Sequence, residues 1–243
     1  MIDNHNFAVI RTGLDKLQID YSEDKLKLLK AYLEYLVQEN RRYNLIGTEE
    51  IEDIISKHFL DCLAPLSLSD MDMIFDGPVI DLGTGAGLPG IIWAIFNPGI
   101  DIYLLDSRRK KVDFLKRTRE RLELDNCYPF QARVEDVGQD KDFREKFKFV
   151  TARAVAKINV LLEYALPLVK ISGKTGFFKG PAYQQELVNS EAISKKLGGS
   201  SLTIKEVNVP GLNADRYMIF AEKIRQTPGK YPRQTGIPKK RPL

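Results

Sequence analysis

Pro78-Val-Ile-Asp-Leu-Gly-Thr-Gly-Ala-Gly-Leu-Pro-Gly90 is the stretch on which the reading of this chain turns. Its first residues, 78–82, are a short apolar run interrupted by Asp81 and bounded by glycines, which suits a buried strand. Gly83, Gly85, Gly87 and Gly90 then crowd one loop. Glycine lets a ligand approach the backbone with no Cβ in the way. Pro89 suits the first turn of a helix over 89–96, whose start offers unpaired N–H groups and partial positive charge. A phosphate-cradling loop would close in Gly-Lys-Ser/Thr, which is absent. The dinucleotide pattern Gly-x-Gly-x-x-Gly fails when counted from Gly83, because Leu88 takes the third glycine's place. It fits at Gly85, Gly87 and Gly90, a register that puts Gly83 and Thr84 where the strand should still be apolar. A nicotinamide-dependent oxidoreductase therefore stays open as the weaker alternative.

Outward from this loop the chain alternates. Residues 102–105 read as a second strand and 111–124 as a helix with Val112, Leu115 and Leu122 on one side. Strands follow at 127–131 and 147–152, then a helix over 159–169 interrupted by Pro167, a strand at 175–179 and a helix over 183–197. Residues 202–209 and 216–224, joined by a short polar link, read as an antiparallel pair. Upstream, residues 1–70 read as helical. Leu26, Leu29, Leu33, Leu36 and Val37 recur at three-to-four spacing behind Ser22 and Glu23, which are placed to start a helix. Ile51, Ile54, Ile55, Phe59 and Leu63 mark a second helical stretch. The pattern predicts an α/β fold: a mostly parallel, doubly wound sheet ending in an antiparallel strand pair. A helical extension (1–70) precedes the sheet-forming part (71–225), and a basic, proline-rich tail (226–243) follows it.

Ligands of such sheets bind at the carboxyl ends of the strands, so candidates are sought there. Asp106 ends the second strand, 23 residues after Gly83. Its carboxylate suits both ribose hydroxyls of an adenosine, or it caps the helix that follows. Arg133-Val134-Glu135-Asp136 follows the third strand, where an adenine edge would be gripped. Arg153 follows the fourth and Lys179 ends the fifth. Each is a surface cation in one reading and a grip on an anionic substrate in the other. Asp81 just ahead of Gly-x-Gly-x-Gly resembles the first motif of S-adenosylmethionine-dependent methyltransferases. An anion there suits a cationic sulfonium and an α-amino group.

The chain has 243 residues, 43% hydrophobic and 29% charged, an ordinary globular composition. Cys62 and Cys127 are too few and too far apart for a disulfide framework, and with His5 and His58 the only histidines, no metal site is expected. No apolar run approaches the ~18 residues of a membrane span, and residues 1–13 hold Asp3, His5 and Arg11 rather than an apolar signal core. A soluble, cytoplasmic protein is expected, with no sign of an obligate dimer. The net charge is +4, yet residues 221–243 hold seven Lys/Arg and one Glu, so the preceding 220 residues sum to −2. Pro228, Pro232, Pro238 and Pro242 predict an extended tail, either a solvated appendage or a strap onto nucleic-acid phosphates.

Several ordered segments together resemble one family: Asn44-Leu-Ile46, Lys57-His-Phe-Leu-Asp61, the glycine loop from Asp81 to Gly90, Leu105-Asp-Ser107 with Lys110-Lys111 and Phe114-Leu115, Thr151-Ala-Arg-Ala154, and the closing segment from Tyr231 to Leu243. The resemblance is to the bacterial small-subunit ribosomal RNA methyltransferase G family, also called glucose-inhibited division protein B, and it runs from about residue 25 to the end. It implies a Rossmann-like methyltransferase fold, S-adenosylmethionine as cofactor, and methylation of guanine N7 in 16S ribosomal RNA, free or within the 30S subunit. It implies cofactor contacts at Gly83, Leu88, Val134, Glu135 and Arg153, to which the loop itself adds Asp81, Gly85, Gly87 and Asp106. Asn44, His58, Lys179 and Arg216 fall on motif positions that look functional in the family. Arg41, Arg42 and Tyr43 offer phosphate contact and a stacking ring, and Arg233, Lys239, Lys240 and Arg241 offer cations in the tail. Leu88 stands where the family often has Phe and Val134 where Ala is common; both keep an apolar wall. An S-adenosylmethionine enzyme acting on a small molecule or a protein remains the other alternative.

Overall fold

The computed structural model describes residues 4–72 and 76–243. Residues 1–3, at the head of the expected helical extension, and 73–75 lie outside the described residues. The extension folds as α1 (Asn4–Leu17), α2 (Glu23–Tyr43) and α3 (Ile51–Ile54). From α3 the chain runs on through a π turn (Ile55–Leu60), α4 (Asp61–Leu63) and a 3-10 turn (Ala64–Ser67) to α5 (Ser69–Asp72). The alternating part follows as β1 (Val79–Leu82), α6 (Gly90–Phe96), β2 (Ile102–Asp106), α7 (Arg109–Arg121), β3 (Cys127–Gln131), α8 (Val134–Gln139), β4 (Phe147–Arg153), α9 (Ile158–Ala165) and β5 (Val169–Lys179). A 3-10 turn (Pro181–Glu186), α10 (Ser190–Leu197), β6 (Thr203–Val207), β7 (Arg216–Glu222) and α11 (Ile237–Lys240) complete it.

The strands form one sheet in the order β3-β2-β1-β4-β5-β7-β6. The first five are parallel, and β7 runs antiparallel to both of its neighbours. This is the expected Rossmann-like methyltransferase topology. β1 lies between β2 and β4, so the chain order reverses at β1 and leaves a crevice outside its carboxyl end. Both faces of the sheet are covered. Val79, Ile102, Leu104 and Phe149 pack with residues of α1, α2 and α6. Ile80, Leu105, Val150 and Phe177 pack with residues of α9 and α10. Burial on both sides is why β1 reads as a continuous apolar run rather than an alternating one.

The helical extension is part of the first of these cores. Ser22 caps α2, accepting from the Lys25 amide at 3.3 Å, and Leu26, Leu29, Leu33 and Leu36 are buried along it. Two buried hydrogen bonds tie the extension to the glycine loop and its helix. The Tyr32 hydroxyl donates to the Ala86 carbonyl at 2.7 Å, and Trp93 Nε1 donates to the Cys62 carbonyl at 2.9 Å.

Four expectations are corrected. The helix expected over 159–169 stops at Ala165, two residues before Pro167, and β5 begins at Val169 rather than Thr175. An irregularity inside β5, with Ser172 at φ 65°, separates its first residues from the regularly paired 174–179, so only the latter part looks like a strand in sequence. The helix expected over 183–197 is a 3-10 turn followed by α10, broken at Asn189, which adopts φ 61°. The proline-rich tail is not a free extended strap. Tyr231 and Pro238 are buried, and Arg144 donates to the Thr227 carbonyl at 2.8 Å and the Tyr231 carbonyl at 2.7 Å. α8 was not foreseen; its six residues are too few to show helical periodicity.

Candidate functional site

At the carboxyl ends of β1 to β4 the chain forms a cleft of about 580 Å³, within the ~300–1,000 Å³ common for small-molecule sites. The glycine loop is its floor. Gly85 has φ 61°, and a Cβ built there would meet nothing closer than 3.9 Å, so the space in front of it is open. Gly87 does the opposite work: a Cβ there would come within 2.5 Å of Ile91 and 2.9 Å of Leu115, which lets the loop press onto α6 and α7. Gly83, Gly85, Leu88, Asp106, Val134, Glu135 and Arg153 all line the cleft. Gly87 is not among the lining residues.

Asp81 is corrected. Its side chain is fully buried beneath the loop and does not face the cleft. Its Oδ2 accepts from the Thr84 hydroxyl at 2.6 Å and from the Gly90 amide at 3.0 Å. Burial pushes its carboxyl up to about 7, against these hydrogen bonds, which favour the charged form. Its Oδ1 is buried with no hydrogen-bond partner among the described residues. Asp81 thus shapes the loop from below rather than facing a ligand. Asp106 does reach the cleft. Its Oδ2 accepts from the Gly85 amide at 3.0 Å and its Oδ1 from the Arg108 amide at 2.8 Å. α7 starts at Arg109 with Arg108 at its N-cap and no capping side chain, so Asp106 ties down the turn ahead of the helix rather than capping it; a carboxylate offers about four lone-pair sites, which leaves capacity toward the cleft.

The far wall comes from the helical extension. Arg153, at the end of β4, donates from Nε to Asp61 Oδ2 at 2.8 Å and from Nη2 to the Lys57 carbonyl at 2.6 Å. Its Nη2 also lies 3.0 Å from His58 Nδ1. A guanidinium can only donate, so Nδ1 is the acceptor and the imidazole is neutral with its proton on Nε2. Burial, and then the charge of Arg153, lowers the His58 pKa to about 4. Asp61 Oδ1 takes a second arginine, Arg216 Nε, at 2.9 Å. One buried carboxylate thus joins β4, β7 and α4. Asp61 was given no role in the sequence reading because it sits inside an apolar helical stretch; its place at the end of segment 57–61, which carries the family resemblance, was the available signal.

The remaining candidates divide. Asn44 ends α2 in the left-handed conformation at φ 46° and sends Leu45 and Ile46 into the cleft. Asn40 pins that loop, donating to the Thr48 carbonyl and accepting from the Ile46 amide, both at 2.8 Å. Lys111 crosses from α7 to donate to the Leu45 carbonyl at 2.6 Å; it lines the cleft, and burial lowers its pKa. Lys179 and Arg216 are not among the cleft-lining residues. The Lys179 ammonium is taken by Glu186 at 2.6 Å and the Ala156 carbonyl at 2.9 Å, so it braces the loop after β4. Arg41, Arg42 and Tyr43 are exposed at the end of α2, and Arg117 lies over the Tyr43 ring at 5.8 Å. In the tail, Lys239 lines the cleft and Lys240 and Arg241 are exposed. Arg233 is corrected: it is held by the buried Glu163 at 2.7 Å, not free for phosphate. Tyr164, Thr235 and Gly236 also line the cleft and were not foreseen. No cluster of His, Cys, Asp and Glu fit for a metal ion occurs among the described residues.

Comparison with known proteins bears on the family and the fold. The family model described as GidB, rRNA small subunit methyltransferase G, matches residues 25–215. The ribosomal RNA small subunit methyltransferase G of Alkaliphilus oremlandii is 38% identical over 235 residues, 97% of this chain and 98% of its own. That of Lactobacillus acidophilus is 39% identical over 231 residues, 95% and 96% of the two chains. Among solved structures, protein Atu636 of Agrobacterium tumefaciens, a predicted O-methyltransferase, superposes with a TM-score of 0.51 at 18% identity, covering 69% of this chain and 84% of that one; the likeness is one of fold. The pairing of a glycine-floored cleft at the reversal point of the sheet with a match along nearly the whole chain has one reading: this chain belongs to the rRNA small subunit methyltransferase G family.

Proposed function

We propose that this protein transfers the methyl group of S-adenosylmethionine to N7 of a guanine in 16S ribosomal RNA, free or within the 30S particle, acting as a monomer in the cytoplasm. The observation that carries the reading is the cleft at the carboxyl ends of β1 to β4, together with family membership. The residues present fit the cofactor. The open space before Gly85 leaves room for a close backbone approach, Asp106 stands where ribose hydroxyls would be accepted, and Val134 and Glu135 follow at the next strand end.

Bound S-adenosylmethionine supplies an electrophilic methyl on a cationic sulfonium. Guanine N7 carries a lone pair and no proton, so its attack needs no general base. The work of the protein is to hold N7, methyl carbon and sulfur in line. Arg153, at the end of β4, and neutral His58, in the facing turn of the helical extension, offer donors to an incoming base and remove no proton from it. N7 lies on the major-groove edge, which in folded RNA is too deep and narrow to enter, so the target is a loop base or one swung outward. Arg41, Arg42, Lys240 and Arg241, all exposed, supply phosphate contacts.

The test is incubation with methyl-labelled S-adenosylmethionine and 16S RNA or 30S subunits lacking the modification, followed by nucleoside mass spectrometry. Label in 7-methylguanosine is expected. Label in another nucleoside overturns the N7 assignment. Label in neither RNA substrate, with the cofactor bound, overturns the substrate class in favour of a small molecule or a protein.

A further inference from the structure

The tail is the least expected part of this structure, and its contacts end in the cleft. Arg233 donates to the buried Glu163 of α9 three times: its amide to Oε1 at 2.9 Å, Nε to Oε1 at 2.8 Å and Nη2 to Oε2 at 2.7 Å. Two residues on, the Thr235 hydroxyl donates to Asp136 at 2.9 Å, and the Gly236 amide donates to Glu135 Oε1 at 2.9 Å. That same Oε1 accepts from the Tyr164 hydroxyl at 3.0 Å. Burial, then Glu135, pushes the Tyr164 hydroxyl far above its usual range, so it stays a neutral donor. Before these, Gln139 donates to the Pro232 carbonyl at 2.7 Å, and Tyr231 is packed in the second core.

The consequence is a wall. Thr235, Gly236 and Lys239 line the same cleft as Asp106, Val134 and Glu135. A Cβ at Gly236 would meet nothing within 4 Å, so this wall faces open space rather than packed protein. Glu135 is oriented in part by a tail amide, so the tail shapes the end of the cleft next to the ribose-binding position.

We propose that residues 233–239 are a wall of the cofactor pocket, latched by Arg233 on Glu163, and that cofactor binding and docking of this segment stabilise each other. The proposal rests on the reading that the cleft takes S-adenosylmethionine. Arg233 is a positioning residue that acts through the segment it anchors. Gly236 and Lys239 face the ligand. Because the docked tail completes the pocket, an undocked tail leaves the site incomplete, and linkage makes the effect reciprocal.

Trypsin reads the docking directly, since Arg233 opens the segment and Lys230 lies three residues before it. At S-adenosylhomocysteine concentrations about ten times its Kd, cleavage after these residues should slow about tenfold, because the open population falls by that factor. Calorimetry should show weaker S-adenosylhomocysteine binding for Gly236→Asn, which fills the open space, and for Lys239→Ala. Asn tolerates the left-handed backbone that Gly236 adopts at φ 84°, and Lys239 is exposed, so both variants should fold. Arg233→Met should weaken binding and also speed cleavage without ligand, with Arg233→Lys intermediate. If S-adenosylhomocysteine binds the unaltered protein but leaves cleavage unchanged, and both cleft-facing variants bind as well as it does, the wall is overturned while the cofactor reading stands. Failure of the unaltered protein to bind S-adenosylhomocysteine overturns the cofactor reading, and the wall with it.

Discussion

Gly85 and Gly87 stand two residues apart and do unlike work. Gly85 faces open cleft, and Gly87 is pressed against Ile91 and Leu115. Gly85→Ala should cost about 1–2 kcal/mol for its left-handed backbone and weaken cofactor affinity more than its stability loss explains. Gly87→Ala adds a clash to the same backbone cost, so its melting temperature should fall further; equal effects of the two on cofactor binding, in a calorimetric comparison, would contradict the division. His58 shows how burial sets chemistry at one residue. Its pKa in the fold is about 4, against 6.5 for the free side chain. Between these values the unfolded chain binds the proton first. His58 therefore contributes stability above about pH 6.5 that is lost as pH falls toward 4. NMR of the imidazole should show no ionisation above pH 5, with Nδ1 unprotonated, and His58→Gln should flatten the acid-side loss of stability.

At the scale of elements, the turn after β4 is braced by a cation at the end of β5 and a carboxylate just beyond it. Glu186 Oε2 accepts from Lys179 and also from the Ile158 amide at 2.9 Å, which caps the start of α9. Lys179→Met and Glu186→Gln should each loosen residues 154–158 and lower stability by about 1–3 kcal/mol, the cost of a broken, partly buried charged hydrogen bond. Urea titration of the double variant should show less than the sum, since both break one contact. RNA affinity that drops for Lys179→Met alone would support the direct role expected from its place at a strand end. The partner that the structure gives Lys179 could not be read from the sequence for a physical reason: a cation at a strand end is drawn to whichever acid the following turn delivers, and the sequence does not show that Glu186 turns back. Asp61 makes the same point, since its two arginines lie 92 and 155 residues away.

At the scale of the molecule, the helical extension, the sheet and the tail are bound into shared cores. The first core runs from Ile10 and Leu33 to Phe149 and Met218, so the boundary near residue 70 is a change of pattern across which packing continues. Leu33 is fully buried. Leu33→Ala should cost about 2–5 kcal/mol, and unfolding should stay a single transition. Trp93, the only tryptophan, reports the sheet side of that core while far-UV dichroism reports the whole chain. Noncoincident transitions would mean that the extension melts by itself.

Local chemistry determined much of this protein by sequence alone. Glycines after an apolar run, alternating strand and helix patterns, and Asp106 one strand further on need only nearest neighbours to be legible, and they placed the cleft and most of its floor. The ordered motifs named the family. The tertiary structure alone decided where long side chains go. Asp81 turned inward because Thr84 and Gly90 offer it donors beneath the loop. Arg233 left the solvent because Glu163, 70 residues earlier, is buried and needs a partner. A buried charge must be paired, and which charge meets which is fixed by the fold, not by spacing along the chain.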